Sequence, residues 1–229
     1  MRTPNIIYPT LVWNNDNIIL IDTGYPGQLS LFQYAFWQAG VPFDQLNRII
    51  LTHHDIDHIG GLAPTLTGHS SPIEVMAHAD EVDYINGTKP PLKLEQLALT
   101  FNALPDEMKS FYTKLSGAFQ NAKTEVNTIL TDGQTLPYCG GITVILTPGH
   151  TLGHICLYLH ESKTLVAGDA LKVDEGNLFR SSPFTNYDTL LSIQSLQKLT
   201  DFDIETVICY HGGLFTRNAN QRIAQLTVE

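Results

Sequence analysis

Apolar residues in the first part of the chain fall into two kinds of run. The runs Ile18-Ile19-Leu20-Ile21 and Ile49-Ile50-Leu51 are short, unbroken and rich in β-branched residues, the pattern of strands buried on both faces, and they predict strands over 17–22 and 48–52. Between them, residues 28–39 place Leu29, Phe32, Phe36 and Ala39 at helical spacing, and Gly40 supplies a stop. A strand is expected at 74–77. The second half repeats the scheme, with strands near 142–146, 155–159, 165–167 and 206–210. A helix over 188–199 would have Leu190, Ile193, Leu196 and Leu199 on its inner face. Strands alternating with helices in two halves agree with two β-sheets packed together and covered by helices, an α/β architecture. The halves share no sequence repeat.

Residues 79–125 differ from what flanks them. The segment contains the break Asn86-Gly87-Thr88-Lys89-Pro90-Pro91, and helical patterns follow that carry Leu94, Leu97, Phe101, Leu104, Met108, Phe111, Tyr112, Leu115 and Phe119. Those side chains can pack a helical pair onto its own core. They can also cap a site and shape a substrate pocket, and the two roles are compatible.

The polar residues at the strand ends carry the chemistry. After Ile50 the chain reads Leu51-Thr52-His53-His54-Asp55-Ile56-Asp57-His58-Ile59-Gly60-Gly61, with four potential metal ligands within six positions: His53, Asp55, Asp57 and His58. The glycine pair that follows is expected to be flexible. In an extended turn, residues two apart point the same way, so His53 and Asp55 can converge on one ion while Asp57 and His58 face a second. Imidazole and carboxylate suit zinc, iron or manganese. Three later strands each deliver one more such group beside a glycine: His150 after Thr147-Pro148-Gly149, Asp169 after Gly168, and His211 before Gly212-Gly213. Glycine there permits close backbone approach and positive φ. His154 is expected to serve as a structural hydrogen-bonding partner, and Asp22 to organise a turn.

In order and spacing these residues resemble the metallo-β-lactamase superfamily. Its first motif, Thr-His-x-His-x-Asp-His-x-Gly-Gly, is followed by a later His, a bridging Asp and a final His. His53, Asp57, His58, His150, Asp169 and His211 match position by position, and Ile21-Asp22-Thr23-Gly24 extends the likeness towards the amino terminus. The resemblance implies a four-layer αββα sandwich occupying residues 1–229 as a single domain, with the helical insert at 79–125. It also implies two divalent metal ions, zinc first, with iron or manganese as alternatives. His53, Asp55 and His150 would hold one ion and Asp57, His58 and His211 the other, with Asp169 bridging. The family's second His is Asp55 here, as in the di-iron flavoprotein branch, which is acidic at this position. Two divalent ions, three carboxylates and a bridging hydroxide sum to zero, where the usual site sums to plus one. A more anionic shell favours harder ions and weakens the pull on negative substrates.

At 229 residues and 25.4 kDa, the chain can bury a substantial core in one domain or two. A net charge of −10 with only 13 Lys+Arg, none clustered, argues against a nucleic-acid partner and against the family's RNA- and DNA-cleaving members. No apolar run approaches the roughly 20 residues that span a bilayer, so no membrane partner is expected. Met1-Arg2-Thr3-Pro4-Asn5 lacks an apolar signal core, and the three cysteines form no close pair, so a cytoplasmic protein is expected. Cys156 and Cys209 fall in buried runs, and Cys139 in a turn that could be exposed.

Together these readings predict a metallo-hydrolase acting on a small molecule. A hydroxide between the two ions would attack a carboxylic ester, lactone or thioester, with Asp57 orienting it and passing a proton to the leaving group. Lys172 and Asn177, soon after Asp169, could reach the substrate. Two rivals are an iron-dependent oxidoreductase such as a sulfur dioxygenase, suggested by Asp55, and a metal-retaining ligand-binding module.

Overall fold

The computed structural model describes residues 6–228. The stretch Met1-Arg2-Thr3-Pro4-Asn5, on which the export expectation rests, lies outside them. Contacts divide the chain into two units, one formed by Met1–Asn17 with Leu130–Glu229 and the other by Ile18–Ile129.

The first unit opens with strand β1 (Thr10–Trp13). In the second unit, β2 (Ile18–Ile21) leads to α1 (Leu29–Gln38), β3 (Arg48–Ile50), the single turn α2 (Ile56–Ile59), α3 (Leu62–Thr67) and β4 (Glu74–His78). β2, β3 and β4 pair in parallel, with Leu20 opposite Ile49 and Ile50 opposite Met76. All four side chains are buried, as both faces of a parallel sheet require. α1 turns only Phe36 fully inward; Leu29 and Phe32 are half-buried and Ala39 is exposed. The helix stops at Gly40, whose φ of 68° lets Val41 N–H reach back to Phe36 O at 3.0 Å.

Residues 79–125 form α4 (Ala79–Ile85), α5 (Leu92–Leu99) and α6 (Asp106–Ala122). α6 packs against α2, α3 and α5, burying Phe119 and Ala122 and leaving Met108 and Phe111 exposed. Beyond it, Asn127 binds β4 twice at Val75, each bond 2.8 Å. Asn127 leads into β5 (Thr128–Leu130).

The first unit resumes with β6 (Thr135–Leu136), β7 (Ile142–Leu146), β8 (Ile155–Leu159), β9 (Thr164–Val166) and the hairpin β10 (Leu171–Asp174) and β11 (Asn177–Arg180). It ends with α7 (Thr189–Ser195), β12 (Thr206–Cys209), β13 (Gly213–Phe215) and α8 (Ala219–Leu226). Six of these strands form one sheet in the order β13-β12-β9-β8-β7-β6. Only the β9–β12 pair is parallel. Its core joins Ile145, Leu165 and Val207 of the sheet to Leu196, Leu199 and Ile223 of the helical layer.

Two expectations change here. The inner face of the 188–199 helix is Ser192, Ser195, Leu196 and Leu199, while Leu190 is 73% exposed. The α-helix gives way to a 3-10 helix over Leu196–Asp201, and the tighter winding rotates which residues face the core. Ser192 faces inward because its backbone lies against Gly149. Cys139, in the turn that could be exposed, is instead buried, with φ 46° turning its Sγ towards Asn17 O at 4.0 Å.

Candidate metal centre

In the second unit, the two candidate histidine ligands are held by a chain of hydrogen bonds that begins at Asp22. This residue leaves β2 at φ 62°, and its Oδ1 accepts Thr52 N–H at 2.8 Å. The Thr52 hydroxyl donates to Asp22 Oδ2 at 2.8 Å. That hydroxyl has one hydrogen to give, so His53 Nδ1, 3.0 Å from Thr52 Oγ1, is the donor in its own bond. His58 Nδ1 lies 2.9 Å from Asp22 Oδ2, and an ionised carboxylate only accepts, so this nitrogen also carries its hydrogen. In the neutral imidazole this leaves Nε2 unprotonated in both rings, the tautomer a metal ligand needs. The two rings lie 3.9 Å apart by centroid, and both are fully buried.

The carboxylates follow. Asp55 Oδ2 is 3.4 Å from His53 Nε2, and Asp57 Oδ2 is 4.0 Å from His58 Nε2. The extended geometry expected of the motif ends at Asp55, because Ile56 already begins α2, so Asp57 and His58 converge from successive positions on one helical turn. Gly60 and Gly61 are not the flexible pair expected either. A Cβ on Gly61 would stand 2.1 Å from Thr23 O, and one on Gly60 2.3 Å from Pro26 Cδ. Close approach requires these glycines, and it lets Thr23 cap His58 O through its N–H (2.7 Å) and hydroxyl (2.8 Å).

Sequence reasoning missed two groups in this unit. His54, outside the expected ligand set, is buried against α4: its backbone N–H and ring Nδ1 both meet Glu81 Oε2, and its ring stacks on Tyr84 at 4.3 Å. Glu81 is itself fully buried and gains in His54 the partner a buried carboxylate needs. Lys93, on α5, places its Nζ in contact with Asp55 Oδ2. Neither partner shows in a local pattern, since 27 and 38 positions separate them from the residues they meet.

The first unit carries the other three residues expected as ligands. Asp169 Oδ2 stands between two imidazoles, 3.4 Å from His150 Nε2 and 3.5 Å from His211 Nε2. One carboxylate oxygen shared by two histidines is the arrangement a bridging ligand requires. His150 Nδ1 donates to Asn186 Oδ1 at 3.2 Å, which also accepts the Ser181 hydroxyl at 2.8 Å. His211 is tied through its backbone to Ile7 and to Val173 N–H. His154 serves in the structural role expected of it. Its Nε2 accepts Asp169 N–H at 3.0 Å, and Nδ1 meets Thr147 Oγ1 at 2.8 Å, which fixes the ring that holds the Asp169 backbone. Thr147 also touches Cys156 Sγ at 3.3 Å, and burial pushes that thiol up to about 12. Burial raises Cys209 well above the ordinary value as well.

Lys172 lines a cavity of about 380 Å³ with Phe179 and Asn186, beside the residue that orients His150. Asn177 lies at the exposed end of the hairpin, its side chain donating to Glu175 O. Among the described residues no helix is long and apolar enough to cross a membrane.

In both units the candidate donors are imidazole Nε2 and carboxylate oxygen, and the Nδ1 atoms of His53, His58 and His150 are engaged elsewhere. That donor chemistry fits divalent metal ions. Comparison with known proteins leads to the same place. Residues 2–211 match the metallo-beta-lactamase superfamily. The probable metallo-hydrolase YflN of Bacillus subtilis (strain 168) is 27% identical over 228 residues, covering 93% of this chain and 81% of YflN. A hydroxyacylglutathione hydrolase of Yersinia pestis (strain Pestoides F) is 32% identical over 163 residues, 70% of this chain and 45% of that enzyme. Among solved structures, a metallo-beta-lactamase family protein from Thermus thermophilus superposes with a TM-score of 0.72 at 22% identity, over 99% of this chain and 75% of that one. The family match runs through the ligand groups of both units, and the chain belongs to the metallo-β-lactamase superfamily.

Proposed function

We propose that this protein is a metal-dependent hydrolase with a dinuclear centre, acting on a carboxylic ester, lactone or thioester. His53, Asp55 and His150 would hold one ion, Asp57, His58 and His211 the other, and Asp169 both. The observation that carries the reading is the Asp22–Thr52 network, which fixes His53 and His58 with Nε2 as the available donor atom. The family match supports pairing the two ligand groups, because it spans both. Zinc is the metal proposed, since imidazole makes up four of the seven ligands.

When bound, the ions would supply a Lewis acid for the substrate's carbonyl oxygen and acidify a water to near neutrality. Asp57 orients the attacking water and then carries its proton to the leaving group, a role suited to a carboxylate partly open to solvent. His154 and Asn186 hold Asp169 and His150 in register, so the site needs little rearrangement during turnover. Thioesters belong in the proposed range because the hydroxyacylglutathione hydrolase is a relative by sequence.

The test is metal analysis followed by a panel of esters, lactones, thioesters and phosphodiesters. Hydrolysis of a member of the first three classes, lost on chelation and regained with zinc, is the expected result. Oxygen consumption by iron-loaded protein, with no hydrolysis across the panel, would replace this reading with an oxidoreductase.

A further inference from the structure

Asp55 is where the chain departs from the family motif, and taken alone it costs the centre one positive charge. The structure brings a cation to that residue. Lys93 Nζ, from the second position of α5, lies against Asp55 Oδ2, and the same oxygen is 3.4 Å from His53 Nε2. The Lys93 side chain is 33% exposed and that of Asp55 only 16%, so the pair is partly withdrawn from water and its charges are incompletely screened.

We propose that Lys93 is a positioning residue that supplies the counter-charge for Asp55, so that the Asp55–Lys93 pair together takes the place of a neutral histidine in the first motif. This rests on the dinuclear reading above. With Lys93 counted, the net charge of the centre returns to plus one, the value for the family's usual ligand set. The expected weakened pull on anionic substrates is therefore cancelled. The ammonium also pins the aspartate so that one oxygen stays directed at the position His53 shares. A second consequence is that α5 is tied to the metal-binding loop by an ion pair, which couples the helical segment to the state of the centre.

Chelator competition with zinc, on wild type and on Asp55→His, Lys93→Met, Lys93→Arg and the double variant Asp55→His/Lys93→Met, tests the pairing. In Asp55→His the ammonium faces an imidazole and an ion, so affinity should fall about tenfold or more, since a charge a few ångströms away at intermediate dielectric acts on that scale. Adding Lys93→Met should bring affinity back to within about threefold of wild type, and Lys93→Arg should match wild type throughout. Thermal unfolding of the metal-free proteins gives a second readout. Lys93→Met and Asp55→Asn should each lower Tm, and the double variant Asp55→Asn/Lys93→Met should lose less than the two losses combined. Zinc affinity in Asp55→His that is unmoved by Lys93→Met, with additive effects on Tm, would overturn the inference while leaving a two-ion wild type intact. A wild type that takes up no zinc would instead sink the dinuclear reading and this inference with it.

Discussion

Asp22 does more than shape a turn: its two oxygens fix Thr52 and His58, and through the Thr52 hydroxyl it holds His53. Asp22→Ala should lower zinc affinity about 10- to 100-fold, the usual effect of losing a group that orients a metal-binding histidine. Competition with a chelator measures it, and an unchanged affinity would show that the rings hold their orientation without Asp22. Cys156 gives a prediction in pH. Its folded value of about 12 lies above the ordinary 9.0, because burial penalises the thiolate. The folded state therefore keeps a proton that the unfolded chain has released. The contribution is complete below about pH 9 and is lost as pH rises towards 12. Stability should fall across that window, and Cys156→Ala should flatten the fall whatever it does to stability at neutral pH; an equally steep fall would assign the alkaline loss to other groups. At this scale the candidate ligands stand out in the sequence because they cluster at strand ends. Asp22's reach to His58, Glu81 under His54, Lys93 on Asp55 and Asn186 on His150 do not, because each joins residues 27 to 38 positions apart.

Elements are most legible where burial on both faces leaves few choices. β2 and β7 follow their apolar runs to within a residue or two, because an unbroken β-branched run has no competing helical face. α7 is harder: it gives way to a 3-10 helix at Leu196 and its Ser192 backbone lies against Gly149, whereas spacing alone assigns Leu190 to the core. The Gly60-Gly61 pair stands out in the sequence, but contact with Thr23 and Pro26 rather than flexibility selects it. Gly61→Ala should then cost about 1–3 kcal/mol, the range for forcing an extra methyl into a packed site. Chemical denaturation is the check, and a stability within about 0.5 kcal/mol of wild type, the scatter of an ordinary surface change, would mean the Thr23 backbone yields freely. On α6, Met108 and Phe111 remain exposed while the helix packs on α2, which carries Asp57 and His58. If the 79–125 segment shapes the pocket, Phe111→Ala and Met108→Ala should change the ranking of substrates without changing metal content. An unchanged ranking would leave α6 with a packing role only.

For the whole molecule, the proposed function needs ligands from both units. Residues 18–129 bring His53, Asp55, Asp57 and His58; the remainder brings His150, Asp169 and His211. The motif order in the sequence already suggests one centre, and the family match runs over residues 2–211. The charge balance is not legible there, because α5 reaches Asp55 only through the fold. Asp169 is the residue on which the proposed centre turns, with one oxygen near both His150 and His211. The most direct measurement is the metal content of metal-replete protein, wild type beside Asp169→Ala, after exhaustive dialysis. The dinuclear account predicts close to two ions per chain in wild type and reduced occupancy at both positions in the variant. Two tightly held ions in Asp169→Ala, or none in wild type, would contradict it.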